Sequence, residues 1–470
     1  MISCCDLNQL ERCARGLAAA AGLALSLLPA AATGGGPGAS LVAELFPGGL
    51  PVPFEAVVER LRREAGAGNV QTALVPLGRS LQRYAADPDY FGSPRIVVAV
   101  TGDMAAGPAS PRLADRLFLA YQPAADVIEA ISYNEAAGRF VFEEVVGYAT
   151  LGGAMQPAEA RVCVPCHQGE RPIFARPLWS ETNANPEVAA RLARLGERFE
   201  GAPVRQTVDG LGAFDAATDR GAEVEAANRL WRDGCGDAAC RAAMLTEAVT
   251  VALGGAPDRV PQAVGFERRA AALWPDGLAI ISPDLPNRDP LALDDPADLE
   301  AVGALNPETP RVPRVVWQPR QGFGEAARLV AGQFTAGDRA WLADRLAGRG
   351  TAEALTLVCD VAAGRFDCAG PGAAVAGLLG MDGAPRLRRL AIDGLPPIGR
   401  LAGDRLPDGR RVSLALAGGT ATLTLGNDLA PLGAALADRA AAADPALGDG
   451  PFRRRAVLAM IAECLEARNG

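Results

Sequence analysis

One histidine occurs among 470 residues, and it closes the segment Cys163-Val164-Pro165-Cys166-His167. C-x-x-C-H is the attachment sequence for c-type haem: two thiols add across the haem vinyl groups, and the adjacent imidazole takes an axial iron position. Two intervening residues bring both sulfurs to one edge of the porphyrin, and the next residue points its ring at the iron. A fold built around this segment has to leave it where a porphyrin can reach both thiols and the ring. All 46 basic residues are arginine, and the chain holds 54 Gly and 36 Pro. Ala-rich and Arg-rich stretches therefore carry little functional weight, and the survival of one histidine at this position carries much.

Three other readings fit the same residues. Cys163 and Cys166 with Cys235 and Cys240 offer four thiolates, enough for tetrahedral zinc. Cys-Val-Pro-Cys has the spacing of a redox dithiol. The pair also fits a structural disulfide. Haem leads, because the motif with its histidine is itself the attachment signature.

Arg12 and Arg15 precede an apolar run from Leu17 to Leu28, followed by Pro29-Ala30-Ala31-Ala32. A positive flank, a short apolar core and an A-x-A ending predict a secretory signal over residues 1–32. The run is too short for a spanning helix, which needs about 20 residues. A periplasmic or secreted location follows, with no stable membrane span after signal cleavage. A net charge of −9 argues against a nucleic-acid partner, since phosphate binding needs a basic surface. Cys359 and Cys368, either side of a predicted turn at Ala363-Gly364, are expected to lie opposite each other within disulfide reach. Cys235 and Cys240 bracket a tight loop that a second disulfide would close. Cys464, on the stripe Val457, Met460, Ile461 and Leu465, reads as a buried thiol.

The expected fold class is α+β: a mainly helical, haem-bearing middle region flanked by β-containing N- and C-terminal regions. After the signal, the regions are 33–150, 151–350 with a long Pro-rich loop, and 351–470 ending in a helix. The patterns predict a helix over 54–65, a buried strand over 95–101 and a hairpin of 127–133 with 139–146. They also predict a helix from Asn185-Pro186 with Val188, Leu192, Leu195 and Phe199 on one side, and helices over 239–253 and over 335–346. The 335–346 helix opens with Thr335 and Asp338 in a capping-box relation. Residues 282–319 read as a structureless strap. Strands at 412–416 and 421–425 turn at Gly418-Gly419, and a helix over 452–467 closes the chain.

Cys163, Cys166 and His167 resemble the attachment site of c-type cytochromes. The stretch from Gln168 to Phe174, with Trp179 to Asn183, resembles a segment of little-characterised bacterial proteins bearing that motif. The resemblance implies one covalent haem c, thioether bonds from Cys163 and Cys166, and His167 as proximal iron ligand. It also implies electron transfer with a periplasmic redox partner. With no second histidine and no lysine in the chain, a distal protein ligand falls to methionine. Met104, Met155, Met244 and Met381 are candidates, and Met244 is the first choice. Pro172, Ile173, Phe174 and Trp179 are candidate pocket walls. The alternative is a haem-dependent oxidoreductase, peroxidase- or oxygenase-like, or a haem sensor with an open axial site. Whether the chain is an enzyme stays open on sequence grounds.

Overall fold

Three near-continuous apolar runs build the first layer. Val70–Val75 (β1), Arg95–Val100 (β2) and Leu117–Gln122 (β3) lack the alternation of a half-solvated strand, which is how strands covered on both faces read. Two helices precede them, Leu41–Leu45 (α1) and Phe54–Ala65 (α2). Val127–Asn134 (β4), Arg139–Val146 (β5) and the two-residue Gln156–Pro157 (β6) complete an antiparallel sheet in the order β1-β2-β3-β4-β5-β6. In this computed structural model the described residues are 40–76, 89–102, 109–158, 167, 172, 182–206, 208–255, 260–281, 313–347, 353–362, 365–368, 411–417, 420–426, 429–441, 447 and 450–466; between 353 and 426 only the backbone is described. The predicted signal segment lies outside them.

The chain continues through Pro186–Leu192 (α3), Arg198–Phe199 (β7), Ala202–Pro203 (β8) and the long helix Val208–Arg229 (α4). Next come Ala238–Ala252 (α5), Ala263–Leu273 (α6), Leu278–Ile281 (β9) and Pro313–Trp317 (β10). Gly322–Ala331 (α7) and Ala336–Ala347 (α8) lead to a four-stranded sheet. Its strands are Glu353–Ala362 (β11), Arg365–Cys368 (β12), Arg411–Ala417 (β13) and Thr420–Gly426 (β14). Ala430–Ala441 (α9) and Arg454–Glu466 (α10) end the described fold. This mixed helix and sheet content is that of an α+β protein. No helix among the described residues is long and apolar enough to cross a membrane.

Opposite faces of the first sheet are covered by different helices. Tyr121 shares a face with its partner Ile128 and takes the ring of Phe54 from α2, with centroids 5.1 Å apart. Tyr133 and its partner Phe140 point to the other face, where Asn228 of α4 donates to the Tyr133 hydroxyl. Helix α4 serves two cores at once. Phe214, Ala217 and Val224 join the core of the first sheet, whereas Ala222 and Ala226 join a second core with α5, α7, α9 and α10. A helix with two buried stripes has no single apolar face, so periodicity does not announce it.

A disulfide links Cys235 and Cys240, with Cα atoms 5.4 Å apart. Asp237 between them caps α5 by accepting from the Cys240 amide at 2.8 Å, and Arg241 donates to the carbonyls of Arg232 and Cys235. Closing so short a loop is worth about 2 kcal/mol by loop entropy. Cys235→Ala with Cys240→Ala should therefore lower the unfolding free energy in urea by about 2–3 kcal/mol, including the lost sulfur packing. An unchanged midpoint would show that the link adds nothing.

Several expectations meet the structure directly. Thr335 and Asp338 form the reciprocal cap: the Thr335 amide donates to Asp338 Oδ2 at 2.7 Å, and the Asp338 amide to Thr335 Oγ1 at 3.0 Å. Cys359 stands opposite Cys368 in the β11–β12 register. Leu414 pairs with Leu423 across the β13–β14 hairpin. Cys464 is buried. Two expectations need correction. The helix begun at Asn185 stops at Leu192, a single 3-10 turn follows, and Gly196 (φ 88°) redirects the chain before Phe199. The strap over 282–319 ends in β10, paired with β9 from Pro313 opposite Ile281.

Candidate haem-attachment site

The site begins on β5, where alternation puts Phe140 and Phe142 on the face that α4 covers. Chain-edge pairing brings the attachment segment to this face. Glu143 pairs with Pro157 and Glu144 with Gln156, and the Ala158 amide donates to the Phe142 carbonyl at 3.0 Å. The chain is next described at His167, whose ring lies against the Phe142 ring with centroids 5.0 Å apart and planes tilted by 59°. The connection 159–166, which carries Cys163 and Cys166, thus starts and ends at one aromatic residue. Both thiols lie outside the described residues. His167 is partly exposed.

Pro172 is buried on the same face, and Gly221 of α4 makes the space for it. A Cβ at Gly221 would lie 2.9 Å from the Pro172 Cγ, 2.9 Å from the Asp115 carbonyl oxygen and 3.4 Å from Phe140 Cζ. Asp115, in the left-handed region at φ 61°, is held by its neighbour on the helix. Arg220 donates to it twice, Nε to Oδ2 at 2.7 Å and Nη2 to Oδ1 at 2.8 Å. Side-chain hydrogen bonding to Asp115 raises the Arg220 pKa, burial opposes this, and the nearby acids reinforce the rise. Beside Phe142, burial raises the Glu143 carboxyl, against hydrogen bonds from Ser40 and Ser132.

The described residues bear on one of the alternatives to haem. Cys235 and Cys240 are joined to each other, so they cannot complete a four-thiolate zinc site with Cys163 and Cys166. Among the described residues no three His, Cys, Asp or Glu side chains gather as a metal-binding group.

The methionines sort differently from the order that sequence suggests. Met244 on α5 is fully enclosed in the second core, with Leu245, Ala248 and Val249, whereas Phe142 stands on the sheet of the first. Met460 is buried in that second core too. Met155, just before β6, is half-buried against the first core. Met104 and Met381, and the candidate walls Ile173, Phe174 and Trp179, lie outside the described residues. Sequence reasoning missed Phe140, Phe142, Asp115, Arg220 and Gly221. Only the alternation in Arg139–Val146 hinted at the first two.

No protein family, curated protein or solved structure matches the chain. The likeness to c-type cytochromes accordingly rests on the motif residues themselves.

Proposed function

We propose that this chain is an exported mono-haem c-type cytochrome protein that transfers electrons through one covalently bound haem. The observation that carries this is the placement of the only histidine in Cys163-Val164-Pro165-Cys166-His167. Cys163 and Cys166 hold the group by thioether bonds, and His167 supplies the proximal imidazole. When bound, haem provides a one-electron ferric–ferrous couple. The protein's part is to fix the imidazole, with the Phe142 ring packed against it. The Cys235–Cys240 disulfide suits the oxidising compartment that the N-terminal pattern predicts, where a periplasmic redox partner would be met.

The distal position decides between this reading and its alternative. Ligation by Met244 would require α5 to release a side chain wholly enclosed in the second core. That enclosure favours, as a second reading, an open axial site serving a haem-dependent oxidoreductase or sensor. Met244→Ala separates the roles. As a core residue it should cost about 2–5 kcal/mol of stability and leave the haem spectrum unchanged, which is the outcome its packing predicts. A ligand role would instead abolish the near-infrared-edge band of thioether ligation and lower the potential. In the unmutated ferric protein, electron transfer requires a low-spin spectrum. A high-spin spectrum with rapid cyanide or carbon monoxide binding would reject it for the open-site reading.

A further inference from the structure

We propose that Gly221 is a positioning residue for His167, acting through Pro172 as the second of two anchor points that fix the attachment segment to the sheet. The inference rests on the haem reading. The first anchor is the Phe142 ring against His167. The second lies one alternation along β5, where Pro172 fills the space left by the missing side chain of Gly221, beside Phe140. Four residues separate His167 from Pro172, so holding both on one sheet face restricts the tilt and reach of the imidazole.

Glycine in mid-helix is less favourable than alanine, and at this position close approach accounts for it. A methyl group there would press on the Asp115 carbonyl as well as on Pro172. That carbonyl belongs to a residue whose carboxylate Arg220 grips with two hydrogen bonds, so it does not yield as a free side chain would. Pro172 is the mobile party, and its displacement would be felt at His167. Gly212 lies on the same helix, and a Cβ there meets nothing within 4 Å. It supplies the matched control for helix propensity.

The test compares Gly221→Ala, Gly212→Ala, Pro172→Ala and the double variant Gly221→Ala/Pro172→Ala in the full chain. Two quantities are read: hydrogen exchange of the 167–172 peptide in protein made without haem, and the midpoint potential of haem-loaded protein. Gly221→Ala should speed exchange around His167 several-fold and shift the potential. Pro172→Ala should do likewise, with the double variant no worse than the singles because both break one anchor. Gly212→Ala should leave both readouts at the unmutated values. Unchanged exchange and potential in Gly221→Ala, or equal changes in Gly212→Ala, would overturn the proposal. Should Gly221→Ala not fold, unchanged readouts in Pro172→Ala would overturn it alone. An unmutated protein without haem would defeat the functional reading itself, and the exchange data, taken on haem-free protein, would still show whether Gly221 anchors the segment.

Discussion

Asp338→Ala should remove about 3–5 kcal/mol of unfolding free energy, because it strands a buried guanidinium. Asp338 and Arg454 are both fully enclosed, with Arg454 Nη1 donating to Asp338 Oδ1 at 2.7 Å. Arg454 Nη2 also donates to the Ser110 carbonyl, so α10 is tied at once to the cap of α8 and to the 109–116 connection before β3. Next to it, the Arg455 guanidinium bridges Glu44 of α1 and Glu135 of the β4–β5 turn. The Phe452 amide donates to Asn228 Oδ1 at 2.7 Å. A protein of this kind has only about 5–15 kcal/mol to lose. Urea unfolding followed by circular dichroism measures the effect. Asp338→Leu combined with Arg454→Met, which leaves no lone charge, should recover much of it. A single-variant loss below about 1 kcal/mol would show that this seam does not hold the two cores together.

Replacing both thiols, Cys163→Ser with Cys166→Ser, should abolish covalent haem altogether while leaving the fold intact. His167→Ala should disrupt the iron site while the thioether bonds remain possible. Haem staining of denatured protein after electrophoresis distinguishes these cases: no stain for the double serine variant, stain with an altered spectrum for the alanine variant. Stain surviving in the double serine variant would place the attachment elsewhere.

Much of the secondary structure was legible because it obeyed one local rule at a time. The 54–65 helix has one buried stripe, the 127–146 hairpin turns at Gly138, and Thr335 with Asp338 caps α8 by side chains three residues apart. Helix α4 was not legible. Its apolar residues divide between two cores, and of its glycines Gly221 is explained only by the neighbours that approach it. Strands β1 and β3 escaped notice because they are buried on both faces and show no alternation. At the site, the motif named the chemistry through Cys163, Cys166 and His167. The supporting residues did not stand out, since Phe142 is far from His167 in sequence and meets it only in the fold, and Gly221 matters only because Pro172 arrives beside it. The packing of Met244 was not legible either: sequence places it after a tight loop, whereas the tertiary structure encloses it among Leu245, Ala248 and Val249.

The most direct measurement is the intact mass and absorption spectrum of denatured, reduced protein, produced by export together with a cytochrome c maturation system. The account predicts a polypeptide heavier by one haem, with the adduct mapping to the peptide containing Cys163 and Cys166. A polypeptide of unmodified mass with no haem absorption would contradict it.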